Sequence, residues 1–448
     1  AAMSIEDRCS IFLKAADLLS ATECRAELCA SVMLGQGKTV WQAEIDAALE
    51  TIDFWRFATK FASEIYASQP PENDAGVWNR MEYRPLEGFV AAISPFNFIA
   101  IGANLPSSPA IMGNVVLWKP AENAMYASYL VYKILERSGL PPGVIQLIPG
   151  SGPSFGEVVL NHPSFAGLHF TGSTAAFNSL WKRAASNLEI YKTYPRIVGE
   201  TGGKNFHVVH HSADPTHVVN STIRGAFEYS GQKCSATSRM YVAESLWPQI
   251  KEGLLARLAE VSYGPVEDLS VFSSAVINRR AYDRIAKFIK RAHHSTSCTV
   301  IAGGRCDDSV GFFVQPTIVQ VDDPFYELMT DEVFGPLLAV YVYKDEKFHD
   351  ILGLCDRTSA YGLTGSIFAT QRDAVIAATE RLRDSAGNFY VNNQSTGSIV
   401  GQQPFGGSRA SGTNDKSGSL FNLLRWVSPR SIKESFNTLE SWRYPHMT

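Results

Sequence analysis

Cysteine is scarce. Seven occur in 448 residues, at Cys9, Cys24, Cys29, Cys234, Cys298, Cys306 and Cys355. No Cys-x-x-Cys pair is present and no Cys/His spacing suits zinc, so neither a disulfide scaffold nor a metal site is expected. A reducing compartment fits that usage better. Charge of one sign is lacking too. Lys+Arg number 40 against 44 Asp+Glu, a net charge of −4, and no run of like charge reads as a binding tail. Nucleic acid is therefore not an expected partner. Long apolar runs are missing. Gly88 to Trp118 is broken by Pro95, Asn97, Asn104, Pro106, Pro109 and Asn114, whereas a membrane span needs about 20 consecutive apolar residues. No membrane partner is expected, and there is no repeat, low-complexity segment or recognisable signal or transit segment. With 45% apolar and 19% charged residues, the chain can bury a substantial core and is not disordered. Its length suggests two or three domains of roughly 150 residues each.

Common nucleotide and hydrolase signatures also fail. Gly35-Gln-Gly37-Lys38-Thr39 ends like a P-loop, but Val32 stands where the first glycine is required. Gly150 to Gly156 has one residue too many for the dinucleotide fingerprint, and no Gly-x-Ser-x-Gly elbow occurs. His207, His210 and His211 invite a metal reading, but their spacing suits neither one helix face nor one strand face. They are expected as surface histidines.

What is present is alternation of helix and strand. Ile5 to Leu19 and Thr39 to about Ala67 read as helices, as do Ala124–Arg137, Asp214–Ser230, Leu246–Val261, Asn278–Arg291 and Ala374–Arg383. Short apolar runs at Phe89–Ile93, Val115–Trp118 and Val144–Ile148 read as buried parallel strands. Further strands are expected at Phe206–Val209, Met240–Val242, Leu337–Tyr343, Ser366–Ala369 and Asn388–Asn392. The pattern predicts an α/β protein with open, mostly parallel sheets. The Pro/Gly-rich segment Tyr194–Gly203 is the expected hinge.

Four kinds of segment carry chemistry. Ile93-Ser94-Pro95-Phe96-Asn97-Phe98 follows a strand and is rich in turn residues. Leu117-Trp118-Lys119-Pro120-Ala121-Glu122 ends a strand with a lysine and a carboxylate. Phe170-Thr171-Gly172-Ser173 ends another with small residues, where backbone N–H groups can meet a phosphate. Gly199-Glu200-Thr201-Gly202-Gly203-Lys204 and Ser230-Gly231-Gln232-Lys233-Cys234-Ser235 supply a carboxylate and a cysteine 34 residues apart (234 − 200).

Taken together, these segments resemble the aldehyde dehydrogenase superfamily over essentially the whole chain. Leu86 to Phe98, Phe227 to Ala236 and Ser395 to Lys416 resemble, within it, the branch that oxidises L-glutamate γ-semialdehyde. The resemblance implies a Rossmann-like NAD-binding domain at 1–197, with an oligomerisation hairpin near Val77–Arg84. A catalytic domain would follow at 198–403, then a return segment and oligomerisation tail at 404–448. It also implies a homodimer or larger homo-oligomer, a mitochondrial matrix location, and a further N-terminal segment in members of this branch. The implied reaction is NAD-dependent oxidation of the semialdehyde to L-glutamate, the second step of proline degradation.

The resemblance also implies roles for residues. Cys234 would be the nucleophile, since a thiolate attacks an aldehyde well and its adduct can expel hydride. Asn97 and the Cys234 backbone N–H would hold the oxyanion. Glu200 would be the general base, followed here by Thr201 where the family usually has leucine. Ser94, Lys119, Glu122, Gly172, Ser173, Glu332 and Phe334 would bind NAD. Lys119 and Glu122 would meet the adenosine ribose, and Glu332 the nicotinamide ribose. Phe177 replaces a glycine of many members, which suggests a looser pyrophosphate contact. Ser235, Gly397 and Ser398 would receive the substrate carboxylate, glycine letting N–H groups approach an anion. Two alternatives stay open: an aldehyde dehydrogenase of another substrate class, whose anchor loop should lack Gly397-Ser398, and a non-catalytic variant. A bifunctional proline-oxidising enzyme is disfavoured, because the chain has no room for a flavin barrel.

Overall fold

The computed structural model describes residues 3–447. Two sheets organise it. The first has five strands in the order Ile145–Leu147, Val115–Lys119, Phe89–Ile93, Phe165–Thr171 and Arg196–Glu200, all parallel. The second has seven, in the order Asn388–Val391, Thr364–Phe368, Asn205–Val209, Thr237–Ala243, Leu337–Tyr343, Thr317–Val321 and Cys298–Ala302. Only its last pair is antiparallel. Central strands such as Phe165–Thr171 and Asn205–Val209 are buried along their whole length, which is why parallel strands read as continuous apolar runs. The expected α/β architecture is present.

Strand order locates the first binding crevice. The chain leaves Phe89–Ile93 for the strands on one side, then returns to Phe165–Thr171 on the other. Ligands of such sheets bind outside the carboxyl ends of the strands where the order reverses. Ser94 and Gly172 directly follow those two strands.

Two expectations need correction. The segment Tyr194–Gly203 holds a strand, Arg196–Glu200, paired to the first sheet. A boundary at 197 would cut that strand, and the chain crosses between sheets at 201–204. The expected hairpin near Val77–Arg84 is one strand of a ribbon joining distant parts of the chain. Val77–Pro85 pairs antiparallel with Val427–Ser435, Val77 opposite Ser435 and Pro85 opposite Val427.

The histidines are also corrected. His207 and His210 are buried; only His211 is exposed. His207 sits on a central strand of a sheet buried on both faces. His210, at the end of that strand, stands edge-on to Phe348 at 4.6 Å.

Among the helices not expected from the sequence is Ile99–Ile111, which contains Pro106 and Pro109 and is buried at every position except Ile101. A helix apolar all round gives no amphipathic signal. Pro109 has no N–H, so the carbonyl of Leu105 loses its helical donor. His169 on the neighbouring strand replaces it, with Nδ1 2.9 Å from Leu105 O. A carbonyl only accepts, so Nδ1 carries the proton. Burial, opposed by that bond, pushes the imidazole pKa down to about 3. His169→Leu should leave the carbonyl unpaired and cost about 1–3 kcal/mol. Urea unfolding measures it, and an unchanged midpoint would show that the proline gap is satisfied otherwise.

Candidate active site

The cysteine is delivered by a tight turn. After the helix Pro215–Phe227, Tyr229, Ser230 and Gly231 take φ values of 51°, 50° and 64°. Left-handed backbone costs a side-chain-bearing residue roughly 1–2 kcal/mol, and contacts hold it here. The Tyr229 hydroxyl donates to Gln36 O at 2.9 Å, and Ser230 N–H donates to Ser273 Oγ at 2.8 Å. The turn sets Gln232 to Ser235 against the amino ends of two central strands of the second sheet. Asn205 Nδ2 then donates to the carbonyls of Cys234 at 2.7 Å and Ala236 at 2.8 Å.

The pair Gly202-Gly203 permits this approach. A Cβ on Gly203 would lie 2.4 Å from Cys234 O, and one on Gly202 would lie 2.2 Å from Glu332 Oε2. Any side chain at either position would push apart the cysteine segment or the glutamate. Thr201, the residue after Glu200, is anchored through its polar groups. Its hydroxyl donates to Ala410 O at 2.6 Å and its N–H to Ser411 O at 2.9 Å.

Three predicted groups meet here. Asn97, which is buried, donates Nδ2 to Gln232 O at 3.0 Å. That bond fixes the amide and leaves its second N–H free. Glu200 ends the last strand of the first sheet, and its Oε1 accepts from Gly407 N–H at 3.1 Å. Burial pushes its pKa up to about 8, against the Gly407 bond and the Lys416 charge. Burial first, then the charges of Glu200 and Glu332, push the Cys234 thiol up to about 12. Backbone N–H groups of Ser235 and Cys234 pull the other way. Cys234 at rest is therefore a neutral thiol, within electrostatic reach of Glu200, whose carboxyl can take a proton only once it is ionised.

A second group lines the switch of the first sheet and the seam. Glu332 Oε1 accepts from Gly203 N–H at 2.8 Å, which leaves Oε2 available. Burial raises its pKa to about 7, opposed by the Gly203 bond and by Lys204 and Arg284. Phe334 adopts φ 54° and stands edge-on to Phe96 at 6.0 Å. Lys119 is buried and Glu122 exposed. Burial lowers the Lys119 pKa, and Glu122 partly restores it. Ser94 has its hydroxyl turned inward, accepting from Trp118 Nε1 at 3.0 Å. Ser173 caps the helix Thr174–Ser186, accepting from Ala176 N–H at 3.3 Å.

Comparison with known proteins gives the family. The model of the aldehyde dehydrogenase family matches residues 1–431. The chain belongs to the aldehyde dehydrogenase family. It is 58% identical over 447 residues to a delta-1-pyrroline-5-carboxylate dehydrogenase, mitochondrial, of Dictyostelium discoideum, covering 99% of this chain and 80% of that protein. The same-named protein of Homo sapiens is 56% identical over 444 residues, covering 99% and 78%. The crystal structure of the enzyme from Mycobacterium tuberculosis bound with NAD superposes with a TM-score of 0.96 at 51% identity, covering 100% of this chain and 82% of that one.

As an aldehyde dehydrogenase the chain shows a second departure besides Thr201, at Phe177, and the structure absorbs it. Phe177 turns into the core, stacked on Phe170 at 5.5 Å. It lies over Gly199, where a Cβ would fall 2.1 Å from the ring. The larger side chain thus fills interior space behind the helix start. The anchor loop lies against the cysteine segment. The Ser235 hydroxyl is 2.7 Å from Thr396 Oγ1, Gly397 takes φ 100°, and Ser398 is half-buried beside Tyr390.

Sequence reasoning missed a buried ionic cluster behind the site. Lys38 pairs with Asp46, and Lys233 lies 3.6 Å from Asp46 and 2.7 Å from Glu228. Phe98, next to Asn97, packs under both ammonium groups, 4.2 Å from Lys38 and 5.7 Å from Lys233. Asp46 sits in a π-helical stretch, Glu44–Leu49, of the long helix expected from Thr39; such bulges are frequent at functional sites. Burial opposes its ionisation, but Lys233 and Lys38 hold its carboxyl below the usual range. The available signal was an acidic i,i+4 pair, Asp46 and Glu50, beside the apolar positions Ile45, Ala47, Ala48 and Leu49 of that helix. Asp46→Asn should strip both lysines of a shared countercharge and cost about 3–5 kcal/mol. Chemical denaturation checks this, and a loss under about 1 kcal/mol would mean that the cluster is solvent-screened.

Proposed function

We propose that this aldehyde dehydrogenase oxidises L-glutamate γ-semialdehyde, formed by ring opening of pyrroline-5-carboxylate, to L-glutamate with NAD, the second step of proline degradation. The observation that carries the reading is the convergence of Cys234, Asn97 and Glu200 with the 395–398 loop packed directly on Ser235. Relatives at 54–58% identity carry the corresponding name.

The residues suit NAD. Ser94 and Gly172 flank the switch of the first sheet. Lys119 and Glu122 offer an ammonium and a carboxylate to ribose hydroxyls, and a carboxylate there repels the 2′-phosphate of NADP. Gly172 and Ser173 open the helix Thr174–Ser186 towards a pyrophosphate. Glu332 Oε2 is free to accept from the second ribose, beside Phe334. Bound NAD supplies the hydride acceptor.

Each chain residue then has a defined task. The Cys234 thiol gives up its proton to solvent, and the sulfur adds to the aldehyde carbon. The second N–H of the Asn97 amide and the Cys234 backbone N–H hold the oxygen that gains charge. After oxidation the substrate remains on Cys234 as a thioester. Glu200 takes a proton from water, the new C–O bond forms, and the C–S bond breaks to release glutamate and the cysteine sulfur. Gly397 and Ser398 hold the substrate carboxylate throughout and set the aldehyde before the sulfur.

Location and assembly follow from resemblance and surface. A mitochondrial site is inferred from the names of relatives. A second copy is inferred to cover the Val77–Pro85/Val427–Ser435 ribbon and the tail beyond it. Trp78, Phe436, Leu439 and Trp442 are all exposed there, as suits an apolar interface awaiting a partner.

Glu200→Gln should leave the first oxidation intact but stall thioester hydrolysis, because an amide takes no proton from water. Stopped-flow should show a burst of NADH and then slow turnover; wild-type steady-state turnover would remove Glu200 as base. In the native enzyme the base works only when ionised. Hydrolysis-limited turnover should therefore rise with pH through about 8, where burial holds its carboxyl.

Ser398→Ala tests the substrate. A hydrogen bond to a charged group contributes about 1.5–3 kcal/mol, and N–H groups near Gly397 remain. KM for the semialdehyde should rise roughly tenfold while that for hexanal, which lacks a carboxylate, is unchanged. Equal losses for both aldehydes would make the loop merely structural.

A further inference from the structure

His207 is a fully buried imidazole with no task in the reaction above. Its hydrogen bonds converge on the root of the anchor loop. Ser395 N–H lies 3.3 Å from Nε2 and can only donate, so Nε2 is bare. The proton therefore sits on Nδ1, 3.1 Å from Thr222 Oγ1. Thr237 Oγ1 lies 3.0 Å from Nε2 and 2.8 Å from Ser395 Oγ. Ser395 Oγ in turn donates to the carbonyl of Ser235 at 3.0 Å. The chain of contacts runs from the strand Asn205–Val209, through Ser395, to the residue beside the nucleophile. Phe368 stands edge-on to the ring at 4.9 Å and limits its rotation. Burial pushes the imidazole pKa down to about 3, so the ring is neutral at neutral pH.

We propose that His207 is a positioning residue for substrate selection: its bare Nε2 pins the start of the 395–398 loop against Ser235. The substrate must touch Cys234 with one end and the loop with the other. A fixed separation between those points favours an aldehyde with a carboxylate at the matching distance. The proposal rests on the reading of Gly397 and Ser398 as the carboxylate receptor.

Two variants separate loop positioning from general packing. His207→Leu fills the space but removes the acceptor; His207→Gln offers Oε1 in its place. His207→Leu should raise KM for glutamate γ-semialdehyde roughly two- to tenfold, the worth of one neutral hydrogen bond. kcat/KM for hexanal should be unchanged, and His207→Gln should recover the native preference. Hydrogen–deuterium exchange in residues 393–399 should quicken in His207→Leu. Equal losses for both aldehydes, or unchanged exchange, overturn the proposal, provided that Ser398→Ala discriminates between them. If Ser398→Ala fails to discriminate, the receptor reading falls, and with it the role assigned to His207. Neutron diffraction of the native protein needs no variant. A deuteron on Nδ1 and none on Nε2 is expected, and a deuteron on Nε2 contradicts the proposal.

Discussion

The hydrogen bond from Asn97 to the Gln232 carbonyl, 3.0 Å long and buried, joins the two halves of the site. Asn97 belongs to the loop leaving a strand of the first sheet. Gln232 belongs to the turn that enters a strand of the second. The bond registers one sheet against the other and fixes the Asn97 amide, leaving its other N–H free. Removing it would loosen the Asn97 side chain and the cysteine segment together. Gly202 and Gly203 serve the same seam, because a single Cβ at either position would collide with Glu332 or Cys234.

Charge is distributed around that seam with purpose. Cys234, Glu200 and Glu332 are enclosed without an ammonium or guanidinium in direct contact, so burial keeps all three close to neutral. Glu200, at about 8, and Glu332, at about 7, change charge near neutral pH, whereas Cys234 stays a thiol there. Behind Phe98, by contrast, Lys38, Asp46, Lys233 and Glu228 are tightly paired. That cluster braces the residue next to Asn97 on one side and the residue before Cys234 on the other. It supplies rigidity where the reacting groups need freedom to change charge.

The α/β alternation was legible because buried parallel strands are uniformly apolar, as at Phe89–Ile93 and Leu337–Tyr343. Polar strand starts were not: Thr237 and Arg239 pair within the sheet although little in the run Thr237-Ser238-Arg239 marks a strand. The edge strand Arg196–Glu200 was masked by nearby proline and glycine. The helix Ile99–Ile111 was masked by its prolines and by burial on every side. Candidate chemistry was legible as motif segments, since Asn97, Glu200 and Cys234 each stand in a run of turn residues and small residues. What lay beyond a single sequence was which distant side chains meet. The pairing of Asp46 with Lys38 and Lys233 was hidden in this way, as was the burial of His207, whose spacing relative to two neighbouring histidines suggested only surface.

Comparison of kcat/KM for L-glutamate γ-semialdehyde and for hexanal, both with NAD, is the most direct test of the account. A loop that holds a carboxylate at a fixed distance from Cys234 predicts strong preference for the semialdehyde. Equal or better use of hexanal would contradict it.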